Sequence, residues 1–121
     1  MSGKETGQMG EKLAAEVLER EGYTVTAKNV HSLYGELDLI ATDKDYICFV
    51  EVKVRKKDSA VPPLDSVTPQ KRRRIITTAL LYLQDHPSSL QPRFDVFSII
   101  TENKKVVQYE HLKGAFDADG N

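Results

Sequence analysis

The chain has 121 residues, 40% of them hydrophobic and 29% charged, with a mean hydropathy of -0.43 and a formal net charge of -1. These values describe one ordinary globular domain spanning 1–121. No apolar run approaches the roughly 20 residues of a membrane-spanning helix, and MSGKETGQMGEK has no apolar signal core, so no membrane role and a cytoplasmic location are expected.

Residues 1–6 read as a frayed end. From about Gln8 to Glu21, Met9, Leu13, Val17 and Ala14, Leu18 recur at helical spacing, and Gly22 closes the helix. Tyr23–Asn29 reads as a short strand. Gly35 then opens ELDLIAT, which with YICFVEVKV makes two strands around the polar turn DKD. Cys48 is the lone cysteine, so it forms no internal disulfide, and its alternation with Val50 and Val52 places it in the core.

Ser59–Val67, with Pro62 and Pro63, reads as a loop. Thr68 as N-cap and Pro69 as first helical residue start a second helix that Pro87 stops, with Tyr82 on its core face. Phe94–Thr101 and Val106–Tyr109 read as strands joined at Glu102–Lys105, and 113–121, KGAFDADGN, reads as a flexible tail. The order is α-β-β-β-α-β-β.

Charge is unevenly spread. Lys53 to Arg74 holds eight basic residues (Lys53, Arg55, Lys56, Lys57, Lys71, Arg72, Arg73, Arg74) against Asp58 and Asp65, a local balance of +6 on an otherwise acidic body. Such a focused basic zone suits nonspecific contacts along a nucleic-acid backbone, or is a solvated face paired with acids elsewhere. The KRRR run opens the second helix, where the backbone is already partly positive; a bound phosphate would turn that repulsion to advantage.

The strand FVEVKVRKK alternates Val50, Val52 and Val54 against Phe49, Glu51, Lys53 and Arg55. A two- or four-residue loop after Thr42 puts Asp38 and Glu51 on one sheet face; an odd loop separates them. Two carboxylates so close repel unless compensated, and magnesium commonly takes one or two protein carboxylates plus water and phosphate oxygens. Lys53 shares the face. The plainer alternative is a surface salt bridge of Lys53 with Glu51 or Glu36. His31, His86 and His111 lack metal-ligand spacing and are expected on the surface or in loops, and neither a phosphate-binding glycine loop nor an acyl-transfer triad is evident.

GELDLIA at Gly35–Ala41 followed by VEVKVR at Val50–Arg55, preceded by GEKLAAEVLEREGY at Gly10–Tyr23, resembles the YraN-type family of small bacterial proteins. That family in turn resembles the archaeal Holliday junction resolvases and the PD-(D/E)XK nuclease superfamily. The resemblance runs from about Gly7 to Leu112 and implies an α/β fold with a restriction-endonuclease-like core, a mixed β-sheet flanked by helices. It further implies that Asp38, Glu51 and the Val52 carbonyl hold magnesium or manganese, that Lys53 orients water or stabilises charge on the phosphate, and that Glu11 assists the metal or its water. Leu37 stands where the superfamily's name has proline.

At about 100° per residue Glu11 also falls on the inward arc of its helix, where a carboxylate needs a partner, or else it is an acid favoured by the helix dipole. The expectation is a metal-dependent nuclease hydrolysing phosphodiester bonds in nucleic acid, DNA first and branched DNA among its candidate substrates, with Arg55, Lys56, Lys57, Lys71, Arg72, Arg73 and Arg74 on the backbone. The resolvase resemblance is compatible with a homodimer. The alternatives are a nucleic-acid-binding module without turnover and a protein-interaction module. Gln70 and Glu36 are further candidates near the centre.

Overall fold

A computed structural model describes residues 3–59 and 61–121. The elements are α1 (Gly3–Arg20), β1 (Thr24–His31), β2 (Glu36–Thr42), β3 (Tyr46–Lys56), a 3-10 turn (Leu64–Ser66), α2 (Pro69–Asp85), β4 (Gln91–Glu102) and β5 (Lys105–Phe116). They form an α/β fold in the expected order, consistent with a restriction-endonuclease-like core. The helix begins earlier than its apolar period does: Gly3 to Thr6 are helical, while Met1 and Ser2 of the expected frayed end lie outside the described residues.

The five strands lie in the order β1-β2-β3-β4-β5. Neighbours pair antiparallel except β3 and β4, which run parallel from Tyr46↔Gln91 to Lys56↔Thr101. A parallel pair cannot be joined by a hairpin, and α2 supplies the crossover between them. Its start follows from local chemistry: the Thr68 hydroxyl accepts the Lys71 N–H at 3.2 Å, and Pro69 fills a position that needs no N–H.

Alternation along the strands feeds two cores. Ala14, Val17 and Leu18 of α1 cover Leu39, Ala41, Cys48, Val50, Phe97 and Ile99. Ile75, Ile76 and Ala79 of α2 cover Ile40, Ile47, Phe49, Phe94 and Val96, with Tyr82 against this cluster. Each buried Leu, Val, Ile or Phe side chain contributes roughly 1.5–3 kcal/mol before conformational entropy is subtracted. Leu37 leaves the alternation of β2 and joins the α2 core, so the strand turns at its start, just where Asp38 stands.

The register question resolves as a four-residue loop, with Thr42 opposite Ile47 and Leu39 opposite Val50. Asp43 selects it: its Oδ1 accepts the N–H groups of Asp45 and Tyr46 at 2.9 and 2.7 Å, and its own N–H donates to the Tyr46 carbonyl.

Two expectations are corrected. The segment after Leu112 continues β5 to Phe116, which is buried and stacks on Phe94 at 5.3 Å between centroids. Arg72 holds this end, with its guanidinium over the Phe116 ring and Nη1 donating to the Gly120 carbonyl. His111 is no surface residue: its side chain is only 3% exposed, between Asp95 (Nε2 to Oδ2, 2.7 Å) and Glu21 (Nδ1 to Oε1, 2.7 Å). Fully buried Asp95 also accepts a bidentate pair from Arg93 at 2.8 Å each and the Gly114 N–H at 3.0 Å. Arg93 Nη2 donates to the Tyr23 hydroxyl at 2.7 Å, so one buried network ties α1's end to β4 and β5.

Candidate active site

β2 and β3 deliver the acids. Continued one step beyond Leu39↔Val50, the register sets Asp38 opposite Glu51. Asp38 Oδ2 accepts the Val52 N–H at 2.8 Å, which fixes its carboxyl against the β3 backbone. Burial and the adjacent Glu51 charge push the Asp38 carboxyl up to about 7. Glu51 is 5% exposed, and its Oε1 lies 2.6 Å from Lys71 Nζ.

That ion pair relocates one expected residue. Lys71, grouped with the backbone-tracking cations in the sequence, points from the first turn of α2 into the acidic centre. Burial alone would lower its pKa, but the contacts with Glu51 outweigh it and the net shift is upward. Lys53 shifts the other way, lowered by burial and by Lys71 beside it. Two lysines therefore converge on two carboxylates.

Two clefts meet at Asp38 and Glu36. One, about 480 Å³, is lined among others by Glu51, Gln70, Lys71 and Arg74; the other, about 500 Å³, by Glu11, Val52 and Lys53. The structure thus sets Glu51 and Gln70 on one side of Asp38 and Glu11, Val52 and Lys53 on the other. Glu36 faces His31 at 3.5 Å as well as lining both clefts.

Glu11 occupies the inward arc expected of it. Burial and then Asp38 raise its pKa, a hydrogen bond with Asn29 partly offsets them, and its Oε1 is buried without a hydrogen-bond partner. Asn29 sits in the left-handed region at φ 51°, which asparagine tolerates better than most residues. Gly10 permits the close approach of α1 to β3: a Cβ there would lie 2.6 Å from Val54 Cγ2.

Among the described residues no three His, Cys, Asp or Glu side chains are gathered as a metal site, so Glu11 does not complete a three-carboxylate set. The donors that fit a hard cation are Asp38 and Glu51, two acids whose mutual repulsion Lys71 offsets only in part, since Asp38 stays raised. That is the number magnesium accepts beside main-chain, water and phosphate oxygens.

The other cations divide. Arg72 is committed to structure: Nε and Nη2 donate to the Val67 and Leu64 carbonyls at 2.9 and 3.2 Å, besides the Gly120 contact. These contacts give Arg72 a structural role beside the expected one on the nucleic-acid backbone. Arg73 and Arg74 are exposed on α2. Arg55, Lys56 and Lys57 line a separate cleft of about 620 Å³ at the end of β3 with Lys104, where Lys57 also pairs with Glu102 at 3.2 Å. Cys48 is fully buried and its thiol is pushed up to about 12 by burial and by Asp95, as suits a core residue.

Sequence reasoning missed the Lys71–Glu51 pair and the Asp95 network. The first had no local signal, since it joins a helix to a strand. The second had one: Asp95 is a lone acid in the apolar run FDVFSII, where only a paired carboxylate is tolerated. No helix among the described residues is long and apolar enough to cross a membrane.

The family model described as "Uncharacterised protein family UPF0102" matches residues 10–99, which include Glu11, Asp38, Glu51, Lys53 and Lys71. A UPF0102 protein of Syntrophomonas wolfei is 40% identical over 114 residues, covering 93% of this chain and 98% of that protein. One from Dichelobacter nodosus is 43% identical over 115 residues, covering 93% and 90%. One from Chlorobium chlorochromatii is 40% identical over 117 residues, covering 93% and 91%. The chain belongs to the UPF0102 family, the YraN-type family of bacterial proteins.

Proposed function

We propose that this protein is a metal-dependent nuclease that hydrolyses phosphodiester bonds in nucleic acid, with DNA as the first candidate substrate and magnesium or manganese as the cofactor. The observation that carries the reading is the opposition of Asp38 and Glu51 across β2 and β3, with the Asp38 carboxyl raised to about 7 by burial and by its neighbour. Such a pair favours a bound cation.

Asp38 and Glu51 would hold the metal with the Val52 carbonyl, and the Val52 N–H keeps Asp38 in place. When bound, the metal would polarise the phosphoryl oxygen and lower the pKa of water. Lys53, with its depressed pKa, lies where it can orient water or meet the charge that develops on the phosphate. Glu11 offers its unpartnered Oε1 as an acceptor for water on the same side. Arg73 and Arg74 extend positive charge from the cleft along α2, and Arg55, Lys56 and Lys57 extend it along the end of β3. A homodimer would offer two such centres to a branched substrate.

A second reading, a nucleic-acid-binding module without turnover, is favoured by Lys71: its ammonium already supplies a positive charge to Glu51. Purified protein is incubated with labelled duplex, single-stranded and four-way-junction DNA, and with RNA, in magnesium or manganese, beside Asp38→Asn, Glu51→Gln and Lys53→Ala. Metal-dependent cleavage by the wild type, lost in the variants, supports the nuclease. Binding without cleavage supports the second reading, and absence of both removes the nucleic-acid role.

A further inference from the structure

The turn between β1 and β2 has an unusual make-up for its position. Tight turns favour Gly, Asn, Asp and Pro, yet this one carries Leu33 and Tyr34 at its tip, 98% and 58% exposed. A single exposed leucine needs no explanation; two adjacent large apolar side chains on a braced projection beside a polar cleft do.

The projection is braced at its base. Ser32 N–H donates to the Gly35 carbonyl at 2.8 Å, the Ser32 hydroxyl accepts the Tyr34 N–H at 3.0 Å, and the Ser32 and Thr78 hydroxyls are hydrogen-bonded at 2.8 Å. Gly35 lies so close to α2 that a Cβ would meet Arg74 Cβ at 3.1 Å and the Arg74 carbonyl at 3.3 Å. The tip is therefore held against α2 by the residues that also wall the Asp38–Glu51 cleft, since Gly35 and Arg74 line it together. Arg74, which packs against Gly35 at the base of the tip, and Arg73 before it on α2 are both exposed. Glu36 is the opposing charge nearby, and it faces His31.

Cations that suit phosphates next to a projecting aliphatic and an aromatic side chain match the two parts of a nucleotide. Aromatic side chains stack on unpaired bases, and apolar side chains wedge into base steps that are already loosened. We propose that Leu33 and Tyr34 form a wedge that contacts an unpaired or unstacked base while the neighbouring phosphate lies at the Asp38–Glu51 cleft. The wedge would then be the element that favours DNA with a branch, flap or gap, the substrate class the resolvase resemblance already implies, over continuous duplex. This rests on the nucleic-acid reading above and adds the element that selects among nucleic acids.

The test uses the full-length chain in EDTA, so that cleavage plays no part, with 2-aminopurine placed at the branch point of a four-way junction and at the matching position in continuous duplex. Leu33→Ser/Tyr34→Ser is compared with wild type for affinity and fluorescence. Both side chains are exposed, so the variant is expected to retain the wild-type Tm.

The expected result is a fluorescence rise on the junction with wild type and about tenfold tighter binding than to duplex, a preference well within the range of base stacking on an aromatic ring. The variant loses both while its duplex affinity stays within about twofold. Equal signals and equal preference from wild type and variant overturn the wedge and leave the nucleic-acid reading standing. So does a variant that changes only self-association in sedimentation, which would make the tip a contact between copies. No binding to any DNA overturns the reading and the wedge together.

Discussion

Lys71 Nζ lies 2.6 Å from Glu51 Oε1, and this contact joins the first turn of α2 to the middle of β3. The Glu51 side chain is 6% exposed and that of Lys71 40%, so the carboxylate depends on the lysine far more than the lysine on the carboxylate. Removing the lysine leaves a buried charge without its partner, whereas removing both charges does not.

Lys71→Met should therefore lower unfolding stability by about 1–2 kcal/mol at neutral pH, less than the roughly 3–5 kcal/mol of a fully buried pair because the lysine head is partly in water. Lys71→Met/Glu51→Gln should recover most of the loss. Urea unfolding of the four proteins in a double-mutant cycle measures this; equal losses from the single and double variants would show that Glu51 does not depend on Lys71.

Asp38→Asn should raise the stability of the metal-free protein, because it removes one of two mutually repelling acids while an amide oxygen can still accept the Val52 N–H. Magnesium should then separate the two proteins. At a concentration a hundred times its Kd it should stabilise wild type by about 2.7 kcal/mol and leave Asp38→Asn unchanged. Thermal melts with and without magnesium, before and after EDTA, read the effect without any substrate.

The Asp95 network sets a pH window. Burial opposes both ionisations, but hydrogen bonds to Asp95 and Glu21 raise His111, and hydrogen bonds from His111, Arg93 and Gly114 hold Asp95 down at about 2. Since His111 is raised above its ordinary 6.5, its contribution is full below that value and is lost as pH climbs through the folded value. Asp95 contributes above 3.8, and its share is lost as pH falls towards about 2. The stability contributed by this network should be greatest between those limits, and His111→Gln should flatten the alkaline decline. Urea midpoints from pH 4 to 9 would show it.

The KRRR run should split into two phenotypes. Arg72→Met gives up three carbonyl contacts and a ring contact and should cost about 1–2 kcal/mol of stability. Arg73→Ala and Arg74→Ala should leave stability within about 0.5 kcal/mol yet weaken DNA binding and flatten its salt dependence. Paired melts and salt-dependent binding titrations distinguish the two.

Gly10→Ala should destabilise the protein by about 1–2 kcal/mol. Alanine's helix preference is worth roughly 1 kcal/mol in its favour, but the added methyl meets Val54 Cγ2 at 2.6 Å and α1 must move away from β3. Glu11, the next residue, moves with it, so a shift of the Glu11 side-chain resonances should accompany the loss of stability.

Much of this architecture is written locally. Thr68 and Pro69 announce α2 because capping is chemistry between neighbours, and the Asp38–Glu51 face follows once the loop has an even number of residues. Asp43 decided between two and four through a side-chain turn that the DKD composition permits but does not specify. The end of β5 was hidden because Phe116 is held by Phe94 and Arg72, residues far away in the chain. The contact of Lys71 with Glu51 is hidden for the same reason: a run of four cations looks uniform until the helix turns one inward and lays another across a loop.

The parallel pairing of β3 with β4 gives the centre an order of assembly. Asp38 and Glu51 belong to adjacent strands of a meander that a short turn can close, so loop entropy barely delays their meeting. Lys71 belongs to the crossover, whose packing onto the sheet is what brings its ammonium to Glu51. The acids can therefore meet through the local turn alone, whereas their lysine reaches them only once the crossover has packed on the sheet.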